Sequence, residues 1–158
     1  MVDDDFVKLV KQLQKKIEYE EEQTYSKVVI EEYHNPINFG VLEDPDAVGE
    51  IKGPCGDTMK ITLKIANGKI QDARFWTDGC GATLAAGNML IKMAIGKTIQ
   101  EAENLNSKQL LDALKGLPKE HNHCAILAVN TLHKTIDQYY KKISSWKKYS
   151  IIMMCLML

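Results

Sequence analysis

A chain of 158 residues that is 45% hydrophobic and 26% charged, with only ten glycines and four prolines, has the composition of one globular domain, which excludes disordered and fibrous classes. Twenty basic against twenty-one acidic residues leave a formal net charge of −1, and Arg74 is the only arginine among nineteen lysines. Neither the field nor the bidentate forks that a nucleic-acid partner requires are available, so that class is set aside.

Met1-Val2-Asp3-Asp4-Asp5 opens with acid where a secretory or transit peptide needs base, so the chain reads as cytoplasmic. From Asp4 to about Glu20, Phe6, Leu9, Val10, Leu13 and Ile17 recur at helical spacing and predict an amphipathic helix. A short helix is expected from Thr24 to Tyr33, stopped by His34-Asn35-Pro36 because the residue before a proline avoids the α region. Ile37 to Ala47, with Gly40, Pro45 and several acids, reads as a loop.

Over Val48 to Thr77 the period changes to two. Met59, Ile61, Leu63 and Ile65 alternate with Lys60, Thr62 and Lys64, the pattern of a half-buried antiparallel strand, and Asn67-Gly68 supplies the turn. A two-residue loop there would set Ile61 opposite Arg74 and Leu63 opposite Asp72, bringing charge to the buried face. A three-residue loop with a Gly-containing bulge pairs Ile61 with Ala73 and Met59 with Phe75, and that register is the one expected. Val48 to Lys52 is a candidate third strand.

After Cys80, Leu84, Gly87, Asn88, Ile91 and Ile95 form a helical stripe that Gly96 can cap. Shorter helical pieces follow near Thr98 to Glu103 and Ser107 to Leu114, and Gly116-Leu117-Pro118 breaks the pattern. A last long helix is expected from about Cys124 to Ile143, with Val129, Leu132, Ile136, Tyr139 and Ile143 on one stripe. The apolar run Ile151 to Leu158 is too short for the roughly 20 residues of a membrane span. The order of elements predicts an α+β fold: a small antiparallel three-stranded sheet with helices packed on one face, preceded by an N-terminal helical extension.

Three of the four cysteines lie where the backbone changes type. Cys55 stands in Gly53-Pro54-Cys55-Gly56-Asp57 at the entry to a strand. Cys80 stands in Asp78-Gly79-Cys80-Gly81 between strand and helix, and Cys124 follows His123 where a loop becomes a helix. Two of these thiols precede or begin a helix, where unpaired N–H groups favour the thiolate, the form that binds metal. A lone cysteine is more often a small buried apolar residue than a ligand. Three at glycine- or histidine-marked junctions outside any apolar stripe argue for a shared site.

Asp57, two residues from Cys55, and His123, adjacent to Cys124, are the candidate fourth ligands, whereas His34, His121 and His133 read as surface or local hydrogen-bonding residues. Cys155 lies in the apolar tail and reads as a packing thiol. Three thiolates with one oxygen or nitrogen donor suit zinc or the irons of a small iron–sulfur cluster. A harder, protonatable fourth ligand suits a metal that has to leave again.

Tyr25-Ser26-Lys27 through Asn35-Pro36 and Gly40, then Cys55-Gly56-Asp57-Thr58-Met59-Lys60, Ala73-Arg74-Phe75, Gly79-Cys80-Gly81-Ala82, Leu117-Pro118 and His123-Cys124-Ala125-Ile126-Leu127-Ala128 resemble, in order over about residues 25 to 143, the IscU/NifU-type scaffold proteins of iron–sulfur cluster assembly. The resemblance implies a non-enzymatic scaffold in which Cys55, Cys80 and Cys124 hold a nascent [2Fe–2S] cluster, completed by Asp57 or His123. It also implies a pyridoxal-phosphate (PLP)-dependent cysteine desulfurase as sulfur donor with Cys124 as sulfur acceptor, an iron or electron donor, apo-protein recipients, and Tyr25 at the contact of a homodimer.

His123 and the compact spacing before Cys124 fit the IscU type better than the SufU type. In many bacterial relatives Leu-Pro-Pro-Val-Lys addresses a dedicated Hsp70-type chaperone. Here the segment reads Leu117-Pro118-Lys119-Glu120-His121, which argues against that partnership. The alternative reading is a SufU-like, zinc-binding sulfur acceptor that activates the desulfurase through the same thiols around Zn²⁺. A thiol hydrolase or oxidoreductase is disfavoured, since no second close thiol or acid–base set accompanies any cysteine. The chain divides into a 1–23 helical extension, a 24–145 scaffold domain and a 146–158 apolar tail.

Overall fold

The computed structural model describes residues 4–156, with side chains described for residues 4–145. Helix α1 (Asp4–Thr24) forms as its periodicity predicts and runs a turn further than expected. None of its residues is buried, and Phe6, Leu9, Val10, Leu13 and Ile17 face solvent. Helix α2 (Lys27–His34) starts later than expected because Ser26 caps it, its Oγ accepting the Val29 N–H at 3.1 Å and donating to the Leu114 carbonyl at 2.6 Å.

Strands β1 (Ala47–Lys52), β2 (Thr58–Ala66) and β3 (Lys69–Thr77) make one antiparallel sheet in the order β1-β2-β3. Its apolar face, Met59, Ile61, Leu63, Ile70, Ala73 and Phe75, is fully buried. The expected β2–β3 register is corrected: Ile61 pairs with Phe75, Leu63 with Ala73 and Met59 with Thr77. Asn67 and Gly68, both at positive φ, close a two-residue turn after all, with Ala66 opposite Lys69. A shift in register between Lys64 and Ile65 then restores the apolar face. The observed pairing differs from the expected one by two residues, and a two-residue slip leaves every side chain on the same face. The stretch expected as loop contributes backbone to the sheet, since the Phe75 N–H donates to the Asn38 carbonyl and the Gly40 N–H to that of Phe75.

Helix α3 (Gly81–Ala94) buries Gly87, Asn88 and Ile91 as expected, but Ile95 falls outside it and is exposed. Asn88 sits in the core because it is bonded: its amide donates to the Glu32 carboxylate, which also receives Lys92 at 2.7 Å, and its Oδ1 accepts the Asn38 N–H at 3.0 Å. Helices α4 (Ile99–Glu103) and α5 (Ser107–Ala113) follow, each opened by a reciprocal capping box, Thr98 with Glu101 and Asn106 with Gln109.

A 3₁₀ turn (Lys119–His121) leads directly into α6 (Asn122–Leu156). α6 runs well past Ile143, through most of the stretch expected as a tail, because no glycine or proline after Pro118 interrupts it. The side chain of Cys155 lies outside the described residues. Helices α3 and α6 pack against the sheet and carry Ala85, Ala86, Leu90, Ala125, Leu132 and Ile136 into one core with it. No helix among the described residues is long and apolar enough to cross a membrane.

Candidate metal centre

The three junction cysteines are free thiols at one end of the sheet. Cys55 lies on the exposed turn before β2. Cys80 is the N-cap residue of α3, in extended conformation with no cap bond from its side chain, so the sulfur is available to the site. Cys124 is the third residue of α6 and is fully buried. The donor atoms of Cys80, His121 and Cys124 all lie within 4.8 Å of one another.

Thr83 knits this site together. Its buried hydroxyl donates to Asp57 Oδ2 at 3.0 Å or to Cys124 Sγ at 3.3 Å, and Cys80 Sγ lies 3.6 Å from the same oxygen. Asp57 is thereby held one hydroxyl away from Cys124. That approach requires glycine at position 79, because a Cβ there would stand 2.6 Å from Asp57 Oδ2 and 2.8 Å from Thr83 Cβ. His123 Nε2 is 3.6 Å from Cys124 Sγ.

Cys124 departs from the expectation for a thiol at a helix start. Burial pushes it from 9.0 up to about 11, the hydrogen bond from Thr83 works the other way, and the nearby charges of Cys80 and Cys55 raise it further. Desolvation outweighs the helix N-terminus here because the sulfur is out of water altogether. Cys55 is not one of the three groups within 4.8 Å. Tyr25 belongs to the same neighbourhood: burial raises its phenol, and the charges of Cys80 and Cys124 add to that.

Of the residues singled out from sequence, Cys80, Cys124, Asp57 and His123 are each within bonding reach of the thiol pair or of Thr83. Two participants had no sequence signal of comparable strength. Thr83 carries no mark in the sequence, standing just before the helical stripe that begins at Leu84. His121 read as a surface histidine, whereas its ring is half-buried between Tyr25, at a centroid distance of 5.9 Å, and His123, at 6.4 Å. The signal that could have found it is the three-residue spacing from His121 to Cys124, which places both on one side of a continuous helical run.

Residues 24–145 match the NifU-like N terminal domain family. The chain is 44% identical over 121 residues to the iron–sulfur cluster assembly scaffold protein IscU of Aquifex aeolicus, covering 75% of this chain and 77% of that one. It is 42% identical over 119 residues to IscU 1 of Archaeoglobus fulgidus, covering 75% and 78%, and 36% identical over 123 residues to IscU of Escherichia coli, covering 75% and 95%. Among solved structures, its fold resembles a putative iron–sulfur cluster assembly scaffold protein for the SUF system from Fervidobacterium islandicum, with a TM-score of 0.61 at 24% identity over 71% of this chain and 96% of that one. A convergent set of thiols on this fold and relatives of this similarity along three-quarters of the sequence lead to one assignment: the chain belongs to the IscU/NifU-type family of iron–sulfur cluster assembly scaffold proteins.

Proposed function

We propose that this protein is the platform on which a [2Fe–2S] cluster is built de novo and from which it passes to apo-proteins. The carrying observation is the convergence of two free thiols and an imidazole within 4.8 Å, with a carboxylate one hydroxyl away from them, in a chain of this family. Residues 24–145 form the scaffold domain in this reading, supported by the span of the family match, and residues 1–23 and 146–158 flank it.

Cys55, Cys80 and Cys124 serve as thiolate ligands, with Asp57 or His123 completing the cluster. Sulfur enters when the Cys124 thiolate attacks the outer sulfur of a persulfide on a PLP-dependent cysteine desulfurase. The S–S bond of the donor breaks, the desulfurase leaves as a thiolate, and Cys124 carries the persulfide. His123 Nε2, 3.6 Å from the sulfur, is placed to take the thiol proton. Two sulfane sulfurs need four electrons to become sulfide: two come from two ferrous ions as they turn ferric and two from an external electron donor. Asp57 is the exchangeable ligand, because an oxygen donor holds iron less firmly than a thiolate and can return to Thr83.

Anaerobic reconstitution with ferrous iron, cysteine, a reductant and a desulfurase tests the proposal. The expected product is a coloured protein with the absorption of a [2Fe–2S] cluster and equal amounts of iron and sulfide. A colourless protein that retains one zinc overturns it in favour of a SufU-like sulfur acceptor.

A further inference from the structure

We infer that the exposed apolar face of α1 is a self-association surface, on which the α1 of a second copy of this chain lies antiparallel. All of α1 but its last residue lies ahead of the family match at residues 24–145, so this surface stands apart from the scaffold reading.

None of the 21 residues of α1 is buried, and Phe6 and Ile17 are 58% and 57% exposed. The helix is tied to α2 at its C-terminal end, where Glu21 accepts the Tyr33 hydroxyl at 3.2 Å and lies 2.8 Å from His34 Nε2. An isolated helix of this length is marginal in water, and most helical stability in proteins comes from packing an apolar stripe. α1 has the stripe, and nothing among the described residues covers it.

Its spacing fits a second copy. Phe6, Val10, Leu13 and Ile17 follow one another at the alternating four- and three-residue steps of a coiled-coil seam. Turned end for end, the seam is its own complement: Phe6 meets Ile17 of the second copy, Val10 meets its Leu13, and the same two layers recur in reverse. Beside the seam Val7 meets Gln14 and Leu9 meets Lys16, whose alkyl stem can cover apolar surface, so no like charges oppose each other at the flanking positions. Phe6 of the second copy then reaches a groove of about 410 Å³ whose lining includes Val10, Leu13, Ile17 and His34.

Charge and attachment select the direction. A parallel pair would stack Glu20 on Glu20 in the seam, and its one compensating contact, Lys16 with Glu21, competes with Tyr33 and His34 for the same carboxylate. In the antiparallel pair the overlap runs from Asp4 to Tyr19 and leaves Glu20, Glu21 and Glu22 beyond it. The two folded bodies then sit at opposite ends of helices about 31 Å long. A bilayer is a poorer cover, because α1 carries six acids against four lysines and an anionic surface attracts basic helices. One helix face of four layers is smaller than the roughly 800 Å² per partner of a standard interface, so the dimer is reversible and concentration-dependent.

Sedimentation of the reduced, metal-free full chain across the micromolar range tests this. The expected result is a monomer–dimer equilibrium whose dissociation constant rises by at least about tenfold in Leu13→Lys and by less than about threefold in Tyr25→Ala, a residue at the thiol end of the molecule. Leu13 packs into no core, so Leu13→Lys should keep the wild-type unfolding midpoint, which separates lost pairing from lost folding. For direction, p-benzoylphenylalanine in place of Phe6 should on irradiation join the peptide that holds Ile17 of another copy. A chain that stays monomeric, a dimer that survives Leu13→Lys and is lost in Tyr25→Ala, or links from position 6 to position 6 alone overturns the inference. Flotation of a monomeric wild type, but not of Leu13→Lys, with phosphatidylglycerol vesicles overturns it in favour of a lipid surface.

Discussion

The Thr83 hydroxyl lies 3.3 Å from the Cys124 sulfur and 3.0 Å from an Asp57 oxygen, and it has one proton to give. Whichever of the two it serves, the other is released toward the metal position. Thr83→Val keeps the shape and removes that proton. The expected outcome is a Cys124 thiol still harder to ionise, read as slower iodoacetamide labelling at fixed pH. A loss of about 1–3 kcal/mol in denaturant unfolding should accompany it, since a buried bonding group disappears. Unchanged labelling would show that the hydroxyl serves Asp57 alone.

The pH dependence follows from the same sulfur. Burial raises Cys124 from 9.0 to about 11, so the folded protein holds this proton more tightly than the unfolded chain does. Its contribution to stability is complete below about pH 9 and is lost as pH climbs through about 11. Unfolding midpoints measured across that window should fall more steeply for the wild type than for Cys124→Ser. Labelling should reach the exposed Cys55 and Cys80 before Cys124 at every pH below the window.

Gly79→Ala places a methyl group where Asp57 Oδ2 and Thr83 Cβ already stand. Asp57 must swing out, at a cost of about 1–3 kcal/mol as for other overpacked positions. Co²⁺ titration of this variant should show a changed fourth ligand, with the thiolate bands from Cys80 and Cys124 retained.

Asp57→Ala removes the exchangeable donor from the proposed cluster. Transfer of a reconstituted cluster to an apo-protein acceptor should slow, followed by the change in visible circular dichroism. Unaltered transfer kinetics would take Asp57 out of that role.

Asn88→Ala strips the Glu32 carboxylate of one of its two partners and leaves the Asn38 N–H without an acceptor, both away from water. The expected loss is about 2–4 kcal/mol by denaturant unfolding. Metal binding at Cys80 and Cys124 should be unaffected, because this network sits further along α3 from the thiols.

Much of the fold was legible because it follows from local periodicity. The alternation from Met59 to Ile65 located β2 and its buried face, and the spacing after Cys80 located α3. The β2–β3 register was not legible: Asn67-Gly68 named the turn, but the irregularity at Lys64 and Ile65 is selected by the packing of Phe75 and Ala73 under the helices. The reach of α6 was missed because the apolar stripe fades before the helix ends, and only the absence of a breaker keeps it going. The thiol pKa expectation failed at Cys124 because helix position is local while burial is not.

The amino-acid order by itself determined which residues could carry the chemistry: Cys55, Cys80 and Cys124 stand at junctions between elements, with Asp57 and His123 alongside, and glycines beside two of them. Only the tertiary structure decided which of these atoms meet. Cys80 caps the start of α3 and Cys124 lies in the first turn of α6, and the two are brought together by the packing of α3 and α6 on one sheet face. That packing also turns His121 toward them and slides Thr83 between Asp57 and Cys124. Such proximities depend on the relative placement of elements far apart in the chain, a property of the closed core that no local pattern encodes.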